Sequence, residues 1–269
     1  MRRSERLGIT ISLVVLGLIA ATIIPLPARE LRLEVLGSEL RLSLSGAAQL
    51  TVLMVMIVVA GVDATIRSNP QHAGRSLAYT ATFWMAPSLL VLISLALVRL
   101  MPWWGYRLGL IAVSGAALSW VIFTQYGSVD PAASQQRAAT LLLNATVYLL
   151  ALVALIYLYG LGLRSLVSAT GVLILTTMLA LELLRSANSG LARLWLYAIA
   201  VGVMLAETTW ALNYLSVDAR LGGGFLFLVF YALTGLSMQH LWGRLSPRGV
   251  AEYGAIFAAW LAVLALVTL

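Results

Sequence analysis

Nine apolar runs constrain this chain more than any other feature of its sequence. The first covers 8–24, and the other eight cover 47–66, 77–98, 106–125, 138–161, 165–184, 193–215, 222–243 and 249–268. A helix that crosses a bilayer needs about 20 mostly apolar residues. Irregular backbone is not tolerated against lipid, because its amide groups would have no hydrogen-bond partners there. The sequence therefore predicts an all-α polytopic membrane protein with about nine transmembrane helices.

The charge and residue usage agree with a membrane protein and exclude several chemistries. Only 10% of the residues are charged and 61% are hydrophobic, whereas soluble domains carry about 25% charged residues. Cysteine and lysine are absent, so thiolate metal sites, cysteine nucleophiles and lysine Schiff bases are excluded. The net charge of +7 comes from arginines at the ends of apolar runs. This pattern is typical of contact with anionic lipid, so we expect membrane lipids as partners and no nucleic acid.

One short stretch, 31–44, has a different period from the rest of the chain. Leucine or valine alternates with polar residues, which is typical of a β-strand. Gly37-Ser38 suits a two-residue hairpin turn. We therefore predict an extracytoplasmic β-hairpin within 26–46, serving as a structural lid or as a docking surface for a partner. The turn predicts the cross-strand pairs Leu31–Leu44, Leu33–Leu42, Val35–Leu40 and Glu34–Arg41.

The order of the runs predicts a topology and a division of the chain. We expect a multi-pass protein of the inner or plasma membrane with a cytoplasmic N-terminus and an extracytoplasmic C-terminus, because more arginines then lie inside. The predicted parts are a first helix in 1–25, the hairpin in 26–46, and two four-helix units in 47–161 and 162–269. The stretch 63–69 resembles 182–188, and 126–131 resembles 242–247. These likenesses suggest a parallel 4+4 internal repeat of helices 2–5 and 6–9.

Two acid–arginine pairs lie at the predicted ends of apolar runs. Asp63 and Arg67 are four residues apart, and Glu182 and Arg185 are three residues apart, spacings at which helical side chains meet. The structural interpretation is a pair of interfacial ion pairs that fix the depth of each helix. The functional interpretation is two symmetry-related gates or a site for lipid phosphate, which arginine binds well.

Glu207 is the acidic residue that is hardest to explain by structure alone. It follows Arg193 by fourteen residues, which is roughly 21 Å of helix. An acid inside the membrane suggests a proton relay or a counter-ion for a cationic substrate. The alternative is a protonated carboxyl group that hydrogen-bonds a neighbouring helix. Trp210 and Asn213 follow at i+3 and i+6, and we group them with Glu207 as one candidate intramembrane polar site.

The sequence lacks the motifs that intramembrane enzymes use for zinc, for a serine nucleophile or for nucleotide phosphates. His72 and His240 are the two histidines, and a haem or chlorin between them is a weak hypothesis. We predict no metal site and no cofactor. The favoured function is a non-enzymatic structural or accessory subunit, or a scaffold, of a membrane assembly with protein partners. The alternatives are a small carrier for a lipid-like or proton-coupled substrate that uses Glu207 and, third, an intramembrane lipid-modifying enzyme.

Overall fold

The computed structural model describes residues 3–24, 29–35, 38–68, 74, 76–129, 136–187, 189–215, 217–247, 251–255, 258–259 and 262. The named elements within these ranges are α1 (Arg3–Ile23), β1 (Arg29–Val35), β2 (Ser38–Leu44), α2 (Gly46–Arg67), α3 (Leu77–Leu100), α4 (Trp104–Val129), α5 (Gln136–Gly160), α6 (Ser165–Leu184), a 3₁₀ turn (Arg185–Ala187), α7 (Leu191–Leu212) and α8 (Ala219–Leu241).

Helices α2 to α8 are long and apolar enough to cross a membrane. They confirm the predicted all-α polytopic class, and each begins and ends within a few residues of its predicted run. The apolar part of α1, Leu7–Ile23, is shorter. The ninth predicted run, 249–268, lies largely outside the described residues. The described part of the chain therefore holds seven helices that could each cross a membrane, and the count of nine remains a prediction.

The two strands pair in a register that differs from the predicted one. Ser38, predicted to lie in the turn, instead begins β2. The observed partners include Leu31 with Leu42, Leu33 with Leu40, and Glu34 with Glu39. The predicted pairing of Glu34 with Arg41 is wrong, because the position of the turn fixes the register of a hairpin. A shift of one residue in the position of the turn moves the partner of each β1 residue by two positions along β2.

The helices fall into two compact units, Met1–Asp130 and Pro131–Leu269. In the first, α1 packs against α2, α3 and α4, and in the second, α6 packs against α5, α7 and α8. The helices α3 and α6 are the most buried of their units. The predicted boundary after residue 161 differs from this division, and the predicted repeat of helices 2–5 and 6–9 finds no support in it. Contacts between helix faces decide such a grouping, whereas short sequence likenesses arise easily in apolar segments.

A proline inside α3 determines one of the contacts between helices of the first unit. Pro87 has no N–H, so the carbonyl of Phe83, four residues earlier, lacks its usual helical donor. The side chain of Gln125 on α4 is fully buried and donates from Nε2 to this carbonyl at 3.1 Å. A backbone group that the proline leaves open is thus satisfied from the neighbouring helix, as the apolar interior requires.

A close approach of two helices shapes the second unit. Gly223 of α8 is buried against α5, and a Cβ atom there would lie 2.8 Å from the backbone nitrogen of Ile156. The next residue, Gly224, has open space where a Cβ atom would be. Small residues allow helix backbones to approach closely in membranes, and here Gly223 and its neighbour Gly222 both face α5, whereas Gly224 does not.

Candidate functional site

Glu207 lies on α7 about halfway between the middle of the helix and its end at Leu212. It is an exposed residue, five positions before the helix ends at Leu212, which is roughly 8 Å along the axis. The expected depth of 21 Å was measured from the opposite end of the helix.

An open groove of about 400 Å³ runs beside Glu207 on the second unit. It lies between α7, α8 and the described segment 251–255, and its volume falls within the 300–1,000 Å³ typical of small-molecule sites. Apolar side chains supply most of its surface. The groove is lined by Met204, Glu207, Thr208, Val229, Ala232, Leu233, Leu236, Tyr253 and Gly254.

Glu207 is the charged residue of this lining, and none of the residues that the structure describes hydrogen-bonds or ion-pairs with it. The neighbouring Thr208 hydroxyl donates to the Met204 carbonyl oxygen at 2.7 Å. Its proton is therefore engaged within α7, and its oxygen can serve a ligand only as an acceptor. At this end the groove offers a negative charge and an acceptor, but no side-chain donor from these two residues.

Tyr253 bounds the groove on the side of segment 251–255. Its ring lies against α8, where a Cβ atom on Gly235 would come within 2.7 Å of the Tyr253 Cζ atom. The ring centroid is 6.0 Å from that of Tyr231, and the Tyr253 hydroxyl hydrogen-bonds the side chain of Gln239. These contacts fix one wall of the groove.

Trp210 and Asn213, the residues grouped with Glu207 from the sequence, each hydrogen-bond another residue. Trp210 is exposed, and its Nε1 donates to the Tyr214 hydroxyl at 3.2 Å. Asn213 follows the last residue of α7, and its Nδ2 donates to Ser168 Oγ of α6 at 2.8 Å. Two steps of three residues turn the helix by about 600°, so Asn213 points about 120° away from Glu207. Trp210, three residues after Glu207, is its neighbour along the helix, and the grouping of the three residues as one site remains a prediction.

The ion pair at the end of α6 is deeply buried. Arg185 Nη2 lies 2.7 Å from Glu182 Oε1, the Glu182 side chain is fully buried, and the Arg185 side chain is 11% exposed. The second carboxylate oxygen of Glu182 is buried and accepts no hydrogen bond from the described residues. Breaking such a buried pair leaves an uncompensated charge, which is strongly destabilising.

The ion pair at the end of α2 is more accessible and links two helices. Arg67 Nε lies 2.7 Å from Asp63 Oδ2, with 32% and 25% of the two side chains exposed. Arg67 Nη2 also donates to Thr80 Oγ1 of α3 at 3.3 Å. The guanidinium group therefore joins the end of α2 to the beginning of α3. Exposed pairs contribute little to stability, so this arrangement mainly fixes geometry.

The two histidines cannot be compared in this structure. His240 is exposed in the last turn of α8, and its ring centroid lies 5.7 Å from that of Tyr197. His72 lies outside the described residues. The weak hypothesis of a cofactor between them is therefore untested, and so are the predicted absences of a cofactor and a metal.

A family model described as "Protein of unknown function (DUF5656)" matches residues 26–267. The chain belongs to this family. No curated protein and no solved structure matches it. In this DUF5656 protein the matched region includes the hairpin, helices α2 to α8 and every residue of the groove.

Sequence reasoning missed two features of this DUF5656 protein. The first is the role of Tyr253 in the groove, for which the available signal was a run of small residues on one face of α8, Ala232 and Gly235. The second is the contact between Gln125 and the Phe83 carbonyl. Its signal was Pro87, because a proline within an apolar run predicts an open carbonyl four residues earlier.

Proposed function

We propose that this protein is a non-enzymatic integral membrane protein that serves as a structural or accessory subunit, or a scaffold, of a membrane assembly. The observation that carries the proposal is the use of buried polar groups inside each unit. Among the described residues, buried hydroxyls repeatedly donate to carbonyls of their own helix, as in Ser94 to Leu90 and Thr176 to Val172. Such groups are satisfied without any ligand.

Two further buried polar contacts have a structural role. The Glu182–Arg185 pair forms within one helix end, and Gln125 serves a carbonyl that Pro87 leaves open. A carrier of polar solutes needs polar groups that face a pathway. Here the polar groups named above bond their own helix or, in the case of Gln125, a neighbouring helix, which favours a supporting role. The interfacial ion pairs are then positioning devices, and gates or a lipid-phosphate site are the less favoured interpretation.

Native mass spectrometry of the protein, extracted gently from its own membrane, tests this proposal. We expect a protein partner at fixed stoichiometry, and we expect Glu207→Gln to leave that assembly intact. The same chain produced in a foreign membrane is the control and should be free of the partner. A chain that carries no protein partner from its own membrane contradicts the proposal.

The groove supports a second candidate function, a carrier for a lipid-like substrate. Its apolar surface suits a hydrocarbon chain. Glu207 supplies a charged group, and none of the described residues forms an ion pair with it. Reconstitution in liposomes separates the two candidates. A carrier predicts substrate flux that Glu207→Gln abolishes, whereas a subunit predicts no flux from either protein.

We also propose the finer topology: nine spans in an inner or plasma membrane, a cytoplasmic N-terminus and an extracytoplasmic hairpin. In this arrangement the arginines that end α2 and α6, Arg67 and Arg185, lie on the cytoplasmic side, as the positive-inside rule favours. Reporter fusions after the hairpin and at the C-terminus test the orientation.

A further inference from the structure

The groove beside Glu207 has a charged end and an apolar end. Glu207 lies five residues from the end of α7 that leads to α8, and Leu236 lies five residues before α8 ends at Leu241. Because the two helices are consecutive and cross the membrane in opposite directions, these residues are close to opposite faces of the bilayer. Val229, Ala232 and Leu233 lie on α8 between the two ends, at positions that are all apolar.

We propose that this groove binds an amphiphile with one hydrocarbon chain and a cationic amine head group. The ammonium group pairs with the Glu207 carboxylate, and the chain follows α8 toward Leu236 and Tyr253. This inference rests on the groove itself, and it applies whether the protein is a subunit or a carrier.

The charge of the head group follows from the groups around it. A carboxylate beside an apolar surface is stabilised by a cation that pairs with it. An ammonium group has three donors and no acceptor. It matches Glu207, and it also matches Thr208, whose hydroxyl proton is already donated to the Met204 carbonyl. An anionic head group would meet a like charge and no donor from these two residues.

The size of the groove suits a hydrocarbon chain. Its volume of about 400 Å³ falls within the range of small-molecule sites. A single chain fits, and the small side chain of Ala232 keeps the groove open along α8.

Three probes with the same chain test the proposal: dodecylammonium, dodecanol and dodecanoate. Each is titrated at neutral pH against the full-length protein in a non-ionic detergent, and bound molecules are counted by native mass spectrometry. We expect dodecylammonium to bind at least about tenfold more tightly than dodecanol, and dodecanoate to bind most weakly. In Glu207→Gln, dodecylammonium should bind no more tightly than dodecanol.

Two further variants keep the result interpretable. Asp218→Asn removes an exposed carboxylate outside the groove and keeps a good helix cap, so it should preserve the tenfold preference. Ala232→Phe fills the groove and should weaken all three probes. The proposal is overturned if Glu207→Gln keeps the preference, if Asp218→Asn loses it, or if Ala232→Phe binds normally. It is also overturned if a protein partner must be removed from the extracted assembly before dodecylammonium binds.

Discussion

Replacing Gln125 with leucine removes the side-chain donor that serves the Phe83 carbonyl across α3 and α4. Gln125 is fully buried, so water cannot take its place. Leaving a buried acceptor unsatisfied costs about 1–3 kcal/mol. Hydrogen bonds between helices in membranes average about 0.6 kcal/mol and reach about 1.7. We therefore expect Gln125→Leu to lower the free energy of unfolding by about 1–2 kcal/mol.

The structure makes this loss depend on Pro87. In Pro87→Ala, residue 87 regains an N–H that can donate to the Phe83 carbonyl within α3. The carbonyl is then satisfied without Gln125, and Gln125→Leu should cost no more than about 0.5 kcal/mol in that background. The expected coupling energy between the two substitutions is therefore about 1 kcal/mol, worked from the hydrogen-bond range above.

Reversible unfolding in mixed detergent micelles, followed by circular dichroism, measures this double-mutant cycle. Thr124→Val is the matched control, because the buried Thr124 hydroxyl bonds carbonyls of its own helix at 2.8 and 3.0 Å. Its cost should be independent of the residue at position 87. If Gln125→Leu costs the same in both backgrounds, the dependence of this contact on the proline is refuted.

Three other predictions use the same measurement of stability. Gly223→Ala should destabilise the protein by about 1–3 kcal/mol because its new methyl group meets a backbone, whereas Gly224→Ala should be neutral or stabilising, since that position is open. Arg185→Met should lower the free energy of unfolding by about 3–5 kcal/mol because it leaves a buried carboxylate unpaired. Arg67→Met, at a part-exposed pair, should lower it by about 1 kcal/mol or less. Equal losses for the two variants would contradict the role of burial. Tyr148→Phe should lower the free energy of unfolding by about 1 kcal/mol, because it removes a 3.1 Å hydrogen bond to a buried threonine. An unchanged melting midpoint would show that this bond is not stabilising.

The positions of the helices could be predicted because the lipid environment imposes them. A run of about twenty apolar residues has few alternatives to a spanning helix, since every backbone amide needs a partner there. The ion pairs were equally accessible to sequence analysis. Both form between residues three or four apart on one helix, at 2.7 Å, and such contacts depend only on local geometry.

The faces of these helices could not be predicted, and the candidate site depends on them. A helix that is apolar all round has no polar stripe to show which side points inward. The sequence therefore could not show that Glu207 faces the groove while Asn213 bonds Ser168 of α6. The hairpin register and the groove wall at Tyr253 likewise depend on groups distant in sequence.

The sequence by itself determined that this chain is helical and membrane-spanning, and it placed each described span within a few residues. Tertiary structure alone decided how the helices group into two units, that Glu182 is fully buried, and that Glu207 opens onto an apolar groove. The physical reason is that burial in lipid rewards an apolar segment whichever way it is rotated. Contacts between helices choose the rotation, through small residues, a proline and single buried polar groups.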